Sequence, residues 1–112
     1  ALIPRLKRSG ANNVQLVHPS EGNSLEPLVG RMDLVFVDAP CTGTGTWRRR
    51  PDSKWRVKPA QLEKRVQDQR EILQAASTYV KPGGRLLYAT CSFLMEEDED
   101  RVAEFLASAP HF

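Results

Sequence analysis

The sequence holds only two cysteines, Cys41 and Cys91, with no C-x-x-C pair and no His/Cys cluster. That excludes a disulfide framework and a ligand set for a structural metal. No apolar run approaches the ~20 residues a membrane-spanning helix needs, and no charged, apolar and small-residue signal pattern opens the chain. Eight prolines and seven glycines are too few for a fibrous or low-complexity chain. No segment repeats. The pattern G-x-x-x-x-G-K-[ST] does not occur, so there is no nucleotide-phosphate cradle of that type. Gly43 and Gly45 begin a G-x-G-x-x-G pattern that fails at Arg48, which leaves CTGTG as a flexible loop.

What is present suits one modest globular unit. The chain has 112 residues, 40% hydrophobic and 27% charged, close to ordinary globular usage and short of a second domain. It opens at Ala1 within sequence that already reads as structured, so a piece of a longer protein is expected. Two unpaired thiols suit a cytoplasmic setting. Net charge is only +2, but the charges are segregated. Residues 47–58 hold Arg48, Arg49, Arg50, Lys54, Arg56 and Lys58 against Asp52 alone, a candidate polyanion contact with Trp47 and Trp55 interleaved. Residues 96–104 hold six acids against Arg101, which reads as a helix start, where carboxylates favour the positive end of the dipole.

The periodicities alternate between helix and strand. Residues 1–9 look like a helix closed by Gly10, and 13–17 (NVQLV) alternates as a short strand. Residues 18–30 read as a loop with room for one helical turn. Met32 to Val37 is a nearly continuous apolar run, the pattern of a parallel strand covered on both faces. Pro59 opens a helix whose stripe Leu62, Val66, Gln69, Leu73, Ala76 and Val80 runs to a stop at Pro82-Gly83-Gly84. Arg85 to Ala89 is a further strand. The acidic run then starts a helix with Val102, Phe105 and Leu106 as its buried face. Strands joined by helical crossovers predict an α/β fold, a mostly parallel, doubly wound sheet flanked by helices, with three strands forming part of a larger sheet.

In such sheets ligands bind at the carboxyl ends of the strands, and the chemistry-bearing residues fall there. One strand runs into Asp38-Ala39-Pro40-Cys41 and another into Thr90-Cys91-Ser92. If the two strands are neighbours, both thiols reach one edge beside one carboxylate. A free cysteine is also ordinary as a small buried apolar residue, and Asp38 could be a loop cap. His18 and His111 have no evident partner.

The run DAPCTGTGTWRRRPDSKWR (Asp38 to Arg56), followed by LLYATCS (Leu86 to Ser92) and an acidic helix start, resembles the Sun-type (RsmB/NSUN) S-adenosylmethionine-dependent RNA cytosine-5 methyltransferases. The first run is similar to that family's D-A-P-C block, the second to its T-C-S block. The resemblance implies that residues 1–112 are the later portion of a Rossmann-like catalytic domain whose glycine-rich cofactor loop lies before Ala1. It implies Cys91 as the nucleophile that attacks cytosine C6, Cys41 as the aid to product release, and Asp38 at the junction of cofactor and target base. Cysteine suits such covalent catalysis because its thiolate is intrinsically nucleophilic. S-adenosyl-L-methionine is the implied cofactor and RNA the implied partner, ribosomal RNA before transfer RNA, with no metal and no membrane.

Two departures mark the chain. Residues 18–22 (HPSEG) stand where the family places an aspartate near the cofactor's adenine, and Leu94-Met95 replaces an asparagine-proline after the T-C-S block. Two other readings stay open. A fragment without catalysis could bind nucleic acid through the basic loop. A DNA cytosine methyltransferase would use the proline-preceded cysteine, Cys41, as its nucleophile.

Overall fold

The computed structural model describes residues 2–17 and 25–112. Helix α1 (Leu2–Ser9) opens the chain and buries none of its residues. It ends before Gly10, whose φ of 69° is the left-handed conformation that closes helices. A single 3-10 turn at Glu26–Leu28 leads to β1 (Met32–Asp38). Two further 3-10 turns, Thr44–Thr46 and Pro51–Arg56, precede helix α2 (Pro59–Ser77). Strand β2 (Val80–Ala89), a 3-10 turn at Met95–Glu97 and helix α3 (Glu99–Ser108) complete it.

Strands β1 and β2 pair in parallel, joined by α2 as the crossover. This is the expected α/β arrangement, with two strands among the described residues instead of three. The predicted strand at 13–17 does not form; Val14 and Leu16 are exposed. An alternating pattern becomes a strand only where a neighbour supplies ladder hydrogen bonds, and no described strand lies beside it. The expected contact at residues 18–22 lies outside the described residues.

Helix α2 starts where Pro59 predicts, with the Lys58 N–H donating to Gln61 Oε1 at 3.4 Å. It stops earlier than Pro82-Gly83-Gly84. Ser77 and Thr78 turn their hydroxyls back onto the carbonyls of Gln74 and Ala75 (both 2.7 Å), and the carbonyls of Thr78 and Tyr79 accept from Gly30 and Met32 (both 2.9 Å). The chain therefore enters the sheet at Val80. Met32 pairs with Val80 and Leu34 with Arg85, so residues 81–84 bulge opposite Asp33. Lys81 forms an ion pair with Asp33 across the bulge.

The covered face of the sheet carries Val35 and Val37 of β1 beside Leu86 and Tyr88 of β2. Leu73 of α2, Phe105 of α3 and Ala109 pack there as the core, against Leu86 and Tyr88. Arg70 of α2 clasps Glu104 of α3 at 2.6 Å. Val102 and Leu106, expected in the buried face of α3, are exposed, because that helix meets the sheet through Phe105. The opposite sheet face is bare among the described residues, with Leu34, Phe36 and Leu87 each more than half exposed. Cover on both faces was the expectation from the apolar run. Here α2 and α3 lie on one face only, and period-2 alternation leaves the other open.

Candidate active site

The last ladder rung pairs Asp38 with Ala89, and Ala39 adds one bond to the Ala89 carbonyl at 2.9 Å. Cys41 lies three residues beyond β1 and Cys91 two beyond β2, so parallel register delivers both to the carboxyl edge. Their sulfurs are 3.2 Å apart. Both are free thiols, Cys41 partly exposed and Cys91 exposed. A disulfide would bring the sulfurs to about 2.0 Å, so the contact is a thiol hydrogen bond.

The two loops are laced together above the sheet. The Gly45 N–H donates to the Cys91 carbonyl at 2.9 Å. The hydroxyls of Thr44 and Ser92 meet at 2.9 Å, Phe93 N–H donates to Thr44 Oγ1 at 3.0 Å, and Leu94 N–H donates to Ser92 Oγ at 3.0 Å. Trp47 packs edge-on against Phe93 with centroids 5.4 Å apart. A Cβ on Gly45 would sit 2.7 Å from the Cys91 carbonyl oxygen, so glycine is what permits this approach. CTGTG, read from sequence as a flexible loop, is a fitted contact.

Beneath the thiols lies a buried polar floor. Gln69 and Glu97 are fully buried, and Thr44 is 2% exposed. Glu97 Oε1 accepts from the Thr42 N–H at 2.8 Å, and Glu97 Oε2 accepts from the Thr42 hydroxyl at 2.5 Å. Gln69 Nε2 donates both to the Pro40 carbonyl (2.9 Å) and to Glu97 Oε1 (3.1 Å). From β2, the Tyr88 hydroxyl donates to the Glu97 carbonyl at 2.7 Å, and the Thr90 hydroxyl donates to Asp98 Oδ1 at 2.5 Å. The acidic run is thus only partly a helix start. Glu99 and Asp100 occupy the first turn of α3, whereas Glu97 and Asp98 turn inward to the thiol loops.

The electrostatics separate the groups. Burial pushes the Glu97 carboxyl upward, but hydrogen bonds from Ser92, Thr42 and Gln69 outweigh it and hold the group below its ordinary value of 4.5. Burial, then the hydrogen bond to Cys91, pushes the Cys41 thiol up to about 11. Cys41 therefore keeps its proton through the neutral range. Asp38 is exposed at the strand end, with the period-2 parity of the bare face, and among the described residues its carboxylate accepts no hydrogen bond. The basic loop is solvent-facing throughout its cations. Trp55 is 77% exposed, with Lys54 Nζ 4.6 Å from its ring centroid.

The structure thus brings together Cys41 and Cys91, and sets Asp38 at the same strand edge. Reading the sequence missed Glu97, Gln69 and Gly45. Gln69 was in plain view as the polar member of the apolar stripe of α2, the one signal that marks a buried polar partner.

Parallel strands joined by a helical crossover, with two thiols meeting at their carboxyl ends, form part of a Rossmann-like α/β domain. The family model for 16S rRNA methyltransferase RsmB/F matches residues 1–112, and the chain belongs to that family. It is 47% identical over 77 residues to the ribosomal RNA small subunit methyltransferase B of Shewanella oneidensis, covering 69% of this chain and 18% of that protein. The protein of the same name from Cronobacter sakazakii is 45% identical over 80 residues, 71% of this chain and 19% of that one. The crystal structure of PH0851 superposes with a TM-score of 0.85 at 39% identity, over 96% of this chain and 24% of that one. The chain thus spans about a fifth of the length of the curated relatives it matches.

Proposed function

We propose that these residues are the later portion of the catalytic domain of a cytoplasmic, S-adenosylmethionine-dependent RNA cytosine-5 methyltransferase acting on ribosomal RNA. The observation that carries this reading is the pair of free thiols 3.2 Å apart at the ends of neighbouring parallel strands. The family's name and those of the relatives supply the ribosomal RNA substrate.

Cytosine C5 is too weak a nucleophile to take a methyl group unaided. Cys91, the more exposed thiol, adds as thiolate to C6, and the electron pair of the C5–C6 double bond moves to C5. When bound, S-adenosylmethionine would supply the electrophilic methyl group that C5 takes, its S–CH3 bond breaking to leave a neutral thioether. Water then takes the C5 proton, the double bond re-forms, and the bond from C6 to the Cys91 sulfur breaks. Cys41, still protonated and 3.2 Å from that sulfur, donates a hydrogen bond to the departing thiolate. Asp38 suits the junction with cofactor and base, since it is an exposed carboxylate at the strand end with no described partner. The greater exposure of Cys91 favours it over Cys41, the attacking group of the DNA-enzyme alternative.

The full-length protein, mixed with RNA and labelled cofactor and run on a denaturing gel, tests the roles. Cys91→Ala is expected to lose turnover and form no adduct. Cys41→Ala is expected to attack and methylate but stall, leaving protein bound to RNA. The reverse pattern, or normal turnover by Cys91→Ala, would sink the assignment.

A further inference from the structure

We propose that Glu97 is a positioning residue: its buried carboxylate, gripping Thr42 through both oxygens, sets where the Cys41 sulfur lies relative to Cys91. Thr42 directly follows Cys41, and its N–H and hydroxyl go to different oxygens of Glu97 (2.8 and 2.5 Å). Two bonds to one planar group fix orientation as well as distance. On the other side of Cys41, the Pro40 carbonyl is held by Gln69 Nε2, which also donates to Glu97. Both neighbours of Cys41 are therefore tied to one carboxylate–amide unit. That unit is anchored in turn to the Cys91 strand through the Tyr88 hydroxyl on the Glu97 carbonyl.

The make-up of this unit suits placement of the backbone around Cys41. Glu97 is fully buried, and the groups that steady its carboxylate (Thr42 N–H and hydroxyl, Gln69 amide and Ser92 hydroxyl) are all neutral. Those donors replace the hydration that burial removes, so the charge is held without a counter-ion. What an apolar side chain cannot do is hold the backbone beside Cys41 at a fixed place.

The consequence for catalysis rests on the release role given to Cys41 above, so the test has one arm that does not. Phenylarsine oxide condenses with two thiols held close together, forming two As–S bonds and releasing water. In the full-length protein it should bridge Cys41 and Cys91. Glu97→Ala and Thr42→Val should each weaken that bridging about tenfold, because the thiols are no longer preorganised. Glu97→Gln should fall between, since its carbonyl oxygen still accepts from the Thr42 N–H. In the gel assay Glu97→Ala should accumulate adduct as Cys41→Ala does. Thr42→Val alters a partly exposed loop residue and keeps the test informative if Glu97→Ala does not fold. Wild-type bridging by Thr42→Val and Glu97→Gln overturns the proposal. Weakened bridging without adduct in Cys41→Ala supports positioning and removes the release role instead.

Discussion

Beneath Cys41 and Cys91 the polar groups are buried, and nearly all have a named partner; in residues 48–58 they stand in water. Glu97 and Gln69 are completely enclosed, whereas Trp55 is 77% exposed and every cation around it is solvated. The two regions use polarity for different ends. In the floor, short directional bonds fix atoms in a medium that excludes water. In the loop, charge acts at range, limited by a screening length of about 8–10 Å in ordinary buffers. Damage to the floor should therefore change chemistry and leave affinity, and damage to the loop should do the opposite.

The largest effect expected on this contrast comes from Gly45, which joins the two regions. Its Cβ in Gly45→Ala would lie 2.7 Å from the Cys91 carbonyl oxygen and 3.4 Å from its carbon. Backbone must move, and Cys91 moves with it. Misplacing a nucleophile by about 1 Å is worth on the order of 100-fold in kcat. Steady-state kinetics of the full-length variant should show that fall with KM for RNA little changed. A mutant that loses affinity and keeps kcat would break the contrast.

The loop should respond in the opposite sense. Arg48→Ala, Arg49→Ala and Arg50→Ala together remove three exposed cations of the basic loop. If each meets one phosphate of single-stranded RNA, the slope of log affinity against log salt becomes shallower by about 2, from roughly 0.7 per contact. Binding should weaken about tenfold or more at low salt, with kcat at saturating RNA unchanged. Filter binding over a salt series measures it. An unchanged slope would mean that the cations are only solvated surface.

How far each region could be read from sequence follows from the same contrast. The loop was legible because charge and aromatic composition are local properties. So were β1, α2 and the two strand-end thiols, since periodicity and proline act within one segment. The floor was not. Glu97 sits in an acidic run that fits a helix start, and only tertiary contact with Thr42, 55 residues away, turns it inward. The strand expected at 13–17 failed for the related reason that a strand's partner is not written in its own alternation. The early end of α2 was missed because hydroxyls at Ser77 and Thr78 compete for helix carbonyls in a way a hydrophobic stripe does not register.

The smallest effect expected is on Cys41, and it separates the two regions most sharply. Its pKa is raised from 9.0 to about 11 by burial and by its hydrogen bond to Cys91. The sign follows from the raised value: the protonated thiol's favourable contribution is fully present below pH 9.0 and is lost as the pH climbs through about 11. At pH 8 Cys41 then carries about 100-fold less thiolate than an ordinary thiol, two pKa units being two decades. A more basic thiolate is a better nucleophile, which returns roughly tenfold, so alkylation by iodoacetamide should run about tenfold slower than for the unfolded chain. Mass spectrometry of labelled Cys41 should show a rate still rising beyond pH 9 and unaffected by salt, because no exposed charge sets it. Cys91→Ala should move the midpoint part of the way back, since burial, the larger cause, remains. A native midpoint near 9, or one that shifts with ionic strength, would place Cys41 with the solvated loop instead of the floor.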